Sequence, residues 1–259
     1  MTELYLDYNT IMHRLDARTK ILIFILNFIA MVLFDHPLYL LPIISLILLQ
    51  AALAKVWVNI WRIRFLLTVL IITGIFMWNI FASGATHLFW IFDLESLLYS
   101  ICRTMLIVFM IFSGVILIST TRNEELVLGM IQLGLPYRVG FTISTSLRLV
   151  PTIANSIYTV SQAQRSRGLD LESGSIIEKI KKYIPLLIPV FISTIRNTNV
   201  FGMALESKGF GAKKDRTFYL NSVMKKLDYF IIIFGVIFVA VSIFLDIQGY
   251  GIIPGLSKF

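Results

Sequence analysis

Charged residues and cysteine are both scarce in this chain. Of its 259 residues only 15% are charged and a single one, Cys102, is a cysteine, whereas 57% are hydrophobic. Soluble domains average about 25% charged and about 45–50% apolar residues. The composition therefore indicates a protein whose solvent is largely lipid. One cysteine cannot form a disulfide within the chain and supplies no cysteine-based metal site.

The sequence also lacks the patterns of nucleotide-binding and metal-binding proteins. It has no Gly-x-x-x-x-Gly-Lys-Ser/Thr loop, so the chain does not bind ATP in that manner. His13, His36 and His87 are too far apart in sequence for a metal-ligand spacing. The net charge of +8 would suggest nucleic acid in a soluble protein, but here the basic residues flank apolar runs. We therefore expect no catalytic residue, metal, cofactor or nucleic-acid partner.

Five apolar stretches approach the length of about 20 residues that a membrane-spanning helix needs. They are residues 21–34, 38–54, 65–82, 101–120 and 229–246. Residues 83–100, which contain Trp90, are predicted to form an outer loop with a short interfacial helix, because aromatic residues favour that depth. We predict an all-α integral membrane protein with about five transmembrane helices and long amphipathic cytosolic coupling helices.

Polar groups are rare inside the predicted spans. None of the spans carries Asp, Glu, Lys or Arg at mid-depth, and such a charge would mark an ion pathway. Its absence disfavours a self-contained proton- or sodium-coupled carrier. Asn79 is the main polar residue, and we expect it to hydrogen-bond between helices.

The distribution of basic residues predicts the orientation in the cell membrane. With the N-terminus in the cytosol, 21 of the 23 lysines and arginines lie on the inner side, and only Arg103 and Lys258 lie outside or at the outer rim. Cytoplasmic loops carry such an excess of Lys and Arg. We therefore predict a multi-pass protein of the cytoplasmic membrane with its N-terminus in the cytosol and its C-terminus outside.

The chain divides into three predicted parts. Residues 1–120 hold an N-terminal cytosolic segment and the first four spans, residues 121–228 form a cytosolic or interfacial domain, and residues 229–259 hold the last span and an outer tail. Helical spacing of apolar residues predicts helices over residues 138–167 and 176–208. Pro151 should kink the first of them, and Pro185 and Pro189 should break the second into two helices.

Two predicted helix ends repeat one pattern, Ala-x-x-Ser-basic-Gly. The first is residues 163–168, with Arg167 before Gly168, and the second is residues 204–209, with Lys208 before Gly209. Glycine adopts the left-handed conformation that ends a helix, and a base in the last turn faces the negative end of the helix dipole. A capped helix end is common, but two basic copies suggest two equivalent sockets on a dimeric partner.

These residues and two further motifs resemble one family. The chain resembles the transmembrane coupling (T) component of energy-coupling factor (ECF) transporters, the group that includes the cobalt-type permease subunit. Residues 13–20 look like its N-terminal motif, which usually has Pro where Ala17 stands. Ser146-Leu147-Arg148-Leu149-Val150-Pro151 looks like its central Ser-x-Arg-x-x-Pro motif. The resemblance covers nearly the whole chain and is strongest over residues 120–215.

The resemblance implies a coupling function. In that family each of two cytosolic tips inserts into a groove of one of two ATP-hydrolysing subunits, and the same protein holds a small membrane substrate-binding (S) subunit. It implies that Arg167 and Lys208 insert into the two ATPases. The implied docking set is Ala163, Arg165, Arg167, Gly168, Ala204, Glu206, Lys208 and Gly209, with Arg148 and Pro151 in support. The family usually has Arg where Lys208 stands, so the two contacts need not be equally strong.

Two alternative functions compete with the coupling function. A stand-alone channel or carrier would need a polar pathway through the spans. A membrane enzyme acting on lipid head groups would need a nucleophile–base pair or a metal cluster, whereas the inner face offers the carboxylates Asp170, Glu172 and Glu206. The ECF resemblance implies that a separate subunit selects the substrate, which would be a vitamin or a cobalt or nickel ion.

Overall fold

A computed structural model describes residues 5–81, 87–89, 92–170, 173, 175–212 and 223–251. The chain divides into two compact units, one formed by residues 1–135 and 222–259 and the other by residues 136–221. The helices of the first unit are α1 (Ala17–Leu33), α2 (Pro37–Ala54), α3 (Trp57–Arg62), α4 (Arg64–Phe81), α5 (Leu94–Thr120), α6 (Asn123–Gln132) and α9 (Lys226–Ile247). The second unit holds α7 (Tyr137–Ser166) and α8 (Ile176–Ser207). The all-α membrane fold is confirmed.

The long helix α5 organises the first unit, because α1, α2, α3 and α4 all pack against it. A short antiparallel pair, β1 (His87–Phe89) and β2 (Phe92–Asp93), precedes it. The prediction of a separate interfacial helix before the fourth span is therefore wrong, since residues 94–100 form the first turns of α5 itself. Residues 83–86, Trp90 and Ile91 of that predicted loop lie outside the described residues.

Four helices are long and apolar enough to cross a membrane by length and composition. They are Pro37–Ala54, Glu95–Thr120, Ile177–Ser207 and Lys226–Ile247, and Arg64–Ile80 is a shorter apolar helix. Three of the four coincide with predicted spans. The stretch Ile177–Ser207 falls instead in the segment that the sequence assigned to the cytosol or the interface, because its apolar face is wide enough to raise its mean hydropathy to 1.3.

The N-terminal motif of residues 13–20 ties three helices of the first unit together. Asp16 caps α1 by accepting a hydrogen bond from the Arg18 N–H at 2.9 Å. Its own N–H donates to Asp228 Oδ1 of α9 at 3.0 Å. The Lys20 ammonium donates to the carbonyl of Thr120 at the end of α5, at 2.7 Å. The motif therefore fixes the start of α1 against α9 and the end of α5.

Close approach of α1 and α6 explains one glycine in this unit. A Cβ on Gly129 would lie 3.0 Å from Cβ of Ala17, tighter than an ordinary contact. Ala17 is the first residue of α1, a position at which Pro is also favoured. The proline that is usual in the resembled family and the alanine of this chain are therefore both compatible with the first position of α1.

The surroundings of Asn79 differ from the prediction that its side chain hydrogen-bonds to another helix. Its side chain is buried in α4, yet neither Oδ1 nor Nδ2 has a hydrogen-bond partner among the described residues. Small-residue packing joins α4 and α5 instead, because a Cβ on Gly74 would lie 2.9 Å from Thr104 Oγ1. The predicted hydrogen bond of Asn79 between helices is therefore wrong for the part of the chain that the structure describes.

The turn between α1 and α2 is held by a largely buried ion pair. Arg103 Nη2 of α5 lies 2.6 Å from Asp35 Oδ1 in the turn between α1 and α2. The N–H of Asp35 donates to the carbonyl of Gly251 at 3.1 Å. Cys102 is fully buried beside this pair, and its thiol donates to the carbonyl of Phe34 at 3.3 Å.

Candidate partner-docking site

The second unit is a hairpin of two long helices. Phe210, just past the end of α8, stacks on Phe141 near the start of α7, with ring centroids 4.5 Å apart. Tyr137, the first residue of α7, lies 6.1 Å from the same ring. The end of α8 therefore meets the start of α7, and the helices are antiparallel. The predicted helix bounds agree with the structure within one residue at each end.

The first tip, residues 163–168, closes α7 with a Schellman motif. The Gly168 N–H donates to the carbonyl of Arg165 at 2.9 Å, and the Leu169 N–H donates to the carbonyl of Gln164 at 3.0 Å. Gly168 has φ +88°, a conformation that favours glycine. Arg167 is the cap residue between the last helical residue and this glycine. Arg167 therefore lies in the turn that closes the helix.

The second tip, residues 204–209, closes α8 in the same way. The Gly209 N–H donates to the carbonyl of Glu206 at 2.9 Å, and the Phe210 N–H donates to the carbonyl of Leu205 at 3.0 Å. Gly209 has φ +73°, and Lys208 is the cap residue. The two predicted tips are therefore matched in backbone geometry and in the position of their basic side chain.

The cap geometry by itself does not distinguish the tips from other helix ends. Helices α6 and α9 also end with a left-handed glycine, Gly134 and Gly249, and with the same pair of hydrogen bonds. Their cap residues are Leu133 and Gln248, which carry no charge. The tips are set apart by the combination of this glycine with a cation at the preceding cap position; α2 also ends on a cation, but there Lys55 is itself the left-handed residue.

Both tips are open to their surroundings. Every residue of the docking set predicted from the sequence is exposed: Ala163, Arg165, Arg167, Gly168, Ala204, Glu206, Lys208 and Gly209. Nothing lies within 4 Å of a Cβ built on Gly168. Arg167 and Lys208 make no ion pair with any residue that the structure describes. Their charges are therefore available to a partner.

The hairpin holds the tips at opposite ends. The second tip lies beside the start of α7, since Phe210 packs there, and the first tip lies at the end of α7. Helix α7 has 30 residues, which corresponds to a length of about 45 Å. The two cationic tips are thus separated by roughly the length of a helix.

The supporting residues occupy the middle of α7. Arg148 and Pro151 are both exposed, halfway between the two ends of the helix. The helix runs through Pro151 without interruption. The structure therefore does not bring these residues to either tip.

Helix α8 continues through both of its prolines, contrary to the prediction of two helices. Proline has no N–H, so Pro189 leaves the carbonyl of Pro185, four residues earlier, without its helical donor. Gln164 Nε2 of α7 donates to that carbonyl at 3.1 Å. The sequence analysis did not identify Gln164. The Pro-x-x-x-Pro spacing was the available signal, because it predicts one helix carbonyl that needs a donor from another helix.

Removing the amide of Gln164 should loosen the hairpin. In Gln164→Leu we expect amide hydrogen exchange in α7 and α8 of the full-length protein to accelerate about fivefold, as loss of a hydrogen bond worth ~1 kcal/mol implies. Pro189→Ala restores the missing N–H, so Gln164→Leu should have little further effect in that background. Equal acceleration with and without Pro189 would show that the Gln164 amide does not replace the proline's donor.

The described residues offer no metal site, since no three His, Cys, Asp or Glu side chains among them lie together. The chemistry of the candidate site is that of an interface: two exposed cations on rigid helix ends, which suit carboxylate partners. Arg167 presents a planar fork that matches a carboxylate with two hydrogen bonds, whereas Lys208 presents a single ammonium.

Comparison with known proteins identifies relatives of this chain. The family model described as CbiQ, cobalt transport protein, matches residues 8–219. The energy-coupling factor transporter transmembrane protein EcfT of Lactococcus lactis subsp. cremoris is 29% identical over 245 residues, covering 88% of this chain and 91% of the relative. The EcfT proteins of Staphylococcus aureus (30% identical; 83% and 85% covered) and Bacillus subtilis (27% identical; 93% and 96% covered) are also similar.

The matched region contains both tips, the central Ser-x-Arg-x-x-Pro motif and the N-terminal motif. It extends over far more than half of the chain, and several relatives align over nearly their full length. The chain therefore belongs to the CbiQ family, the family of transmembrane components of energy-coupling factor transporters.

Proposed function

We propose that this protein couples ATP hydrolysis in two partner ATPase subunits to the movement of a separate substrate-binding membrane subunit. The observation that carries the proposal is the pair of matched tips, each a glycine-capped helix end with an exposed cation that makes no ion pair with the described residues. Two tips of matched geometry at opposite ends of one hairpin suit a partner with two equivalent sockets. A dimer of ATPases has that symmetry.

The proposal assigns the energy source to another chain. The sequence has no phosphate-binding loop, and the relatives are named as transmembrane proteins of energy-coupling factor transporters rather than as enzymes. Arginine is enriched among the residues that dominate binding energy at interfaces. We therefore assign the larger share of the docking energy to Arg167 and a smaller share to Lys208.

We further propose that the transported substrate is a vitamin or a transition-metal ion and that a small membrane protein selects it. The matching family is described as cobalt transport protein, which supports the metal class. The predicted spans contain no charge at mid-depth, which supports placing substrate selection in a different subunit.

Co-purification tests the proposal directly. The tagged full-length chain, extracted in mild detergent, should bring down two nucleotide-binding chains and one small hydrophobic protein, identified by mass spectrometry. In Arg167→Ala/Lys208→Ala the ATPases should be lost while the small hydrophobic protein remains. Retention of both ATPases by this variant would refute the docking role of the tips, and Lys179→Ala/Lys181→Ala on the same hairpin is the matched control.

The orientation is also a proposal, and cysteine labelling checks it. Cys102 is the single cysteine of the sequence, so Cys102→Ala provides a background without thiols. In that background we expect Tyr8→Cys and Lys208→Cys to react with a membrane-impermeant maleimide only in inside-out vesicles, and Tyr250→Cys only in intact cells. Labelling of Lys208→Cys in intact cells would place the second tip outside and overturn the proposal.

A further inference from the structure

A lateral crevice lies in the first unit between α2 and α9. It encloses about 170 Å³. Helix α1 packs against both α2 and α9 and forms the floor, with Ile23, Leu26 and Asn27. The walls are apolar, and they are formed by Leu46, Leu49, Leu53, Ile231, Phe234 and Phe238. Leu49 is 61% and Phe234 is 52% exposed, so the crevice opens to the side of the helix bundle.

An apolar occupant suits this crevice. Protein interiors contain few voids larger than a water molecule, and an apolar cavity of about 150 Å³ engineered in another protein stays dry and binds a small hydrocarbon. The amides of Asn27 and Gln50, which line it, already bond to each other at 2.9 Å. Both walls belong to helices long and apolar enough to cross a membrane. Lipid chains are therefore the species that face the opening.

The head-group end of the crevice can be located from backbone contacts. The Asp16 N–H donates to Asp228 Oδ1, so the starts of α1 and α9 lie side by side. Helix α2 follows α1 after the short turn at residues 34–36, and Gln50 near its end bonds to Asn27 of α1, so α2 runs antiparallel to α1 and its end lies toward the start of α1. Leu53 and Ile231 line the crevice at this end.

Three lysines lie at the ends of the two helices that form the walls, on this side of the crevice. Lys55 follows α2 two residues after Leu53, and Lys225 and Lys226 begin α9. All three are exposed, and none makes an ion pair with another residue in the part of the chain that the structure describes. Basic side chains at a membrane surface attract anionic lipid head groups.

We propose that the crevice binds one acyl chain of an anionic glycerophospholipid, whose phosphate lies at Lys55, Lys225 and Lys226. The apolar walls hold the chain without selecting the head group. The three cations supply the preference for an anionic over a zwitterionic lipid. This site is independent of the tips of the hairpin and of the proposed coupling function.

Native mass spectrometry of the full-length protein in mild detergent tests the site. Phosphatidylglycerol and phosphatidylcholine with identical acyl chains are added in equal amounts. We expect the anionic lipid to be retained preferentially, and Lys55→Gln/Lys225→Gln/Lys226→Gln to lower that preference at least about fivefold. Leu49→Trp, which fills the opening, should abolish retention of either lipid. Leu41→Trp, on the same helix and also exposed but outside the crevice, should retain lipid like the parent protein.

A second measurement does not depend on the folding of any variant. Phosphatidylglycerol with a photoreactive group on its acyl chain should crosslink the parent protein at peptides that contain Leu49 or Phe234. Equal retention of the two lipids, unchanged binding to Leu49→Trp, or crosslinks distributed evenly over the spans would each overturn the proposal. Lys179→Gln/Lys181→Gln in the second unit is the control for the head group. If it lowered the preference for phosphatidylglycerol as much as the triple substitution, the phosphate would not lie at the three lysines.

Discussion

Reversing the charge of both tips, with Arg167→Glu and Lys208→Glu, should abolish substrate uptake by cells while leaving the protein in the membrane. Both side chains are exposed. Each residue lies at a helix cap, where the N–H groups of the two residues that follow it donate hydrogen bonds to the helix. A glutamate there would face the carboxylates of the proposed sockets, and like charges at an interface cost several kcal/mol. The fold should be unaffected, because neither residue makes an ion pair with the described residues.

The single substitutions should be unequal. Arg167→Ala should weaken ATPase binding by roughly 30-fold or more, corresponding to a hot-spot loss of about 2 kcal/mol. Lys208→Ala should have a smaller effect, and Lys208→Arg should strengthen binding, because the guanidinium adds a second parallel hydrogen bond to a carboxylate. Uptake, membrane content and ATPase co-purification are measured on the same cells. Parental uptake by the double glutamate variant would exclude the tips as the coupling contact.

Breaking the buried ion pair of the first unit should produce the largest loss of stability. Arg103→Met leaves the carboxylate of Asp35, 8% exposed, without its counter-ion at 2.6 Å. Removal of one partner of a buried pair costs about 3–5 kcal/mol, and we expect the lower end of that range because the Arg103 side chain is 21% exposed. We expect a marked fall in the apparent unfolding temperature of the full-length protein, measured by heating in one detergent and quantifying the soluble, monodisperse fraction.

A double substitution separates charge from packing in this prediction. Asp35→Asn/Arg103→Met removes both charges and should recover at least about half of the loss. Arg103 also lies over the ring of Tyr99, 5.0 Å from its centroid. Arg64→Met is the matched control, because Arg64 lies 4.5 Å from the centroid of the Trp61 ring but is exposed. It should cost at most about 1 kcal/mol. If the double variant were as unstable as Arg103→Met, the loss would come from packing and not from the carboxylate.

Features that depend on neighbours within one or two helical turns could be predicted from the sequence. The glycines at residues 168 and 209 mark the ends of α7 and α8, and a capping motif involves only six consecutive residues. The apolar periodicity placed both helices to within one residue. The two tips, the most specific part of the candidate site, were visible for the same reason.

Local rules failed where a distant residue supplied what the local sequence lacked. Pro185 and Pro189 predict a break in α8, but Gln164 of α7 donates to the carbonyl that the break would expose. Asn79 is the opposite case: its polar side chain predicts a hydrogen-bond partner, and the described residues provide none. In both cases the outcome depends on which side chain of another helix comes within 3.5 Å.

The sequence by itself therefore determined the class of the protein, the positions of its apolar helices and the chemistry of its two basic tips, because composition, periodicity and capping are local. The tertiary structure alone decided the pairing of Asp16 with the α9 residue Asp228, the burial of the Asp35–Arg103 pair and the crevice between α2 and α9. These features join residues up to 212 positions apart. Contacts over such separations depend on how the helices pack, which no short stretch of sequence specifies.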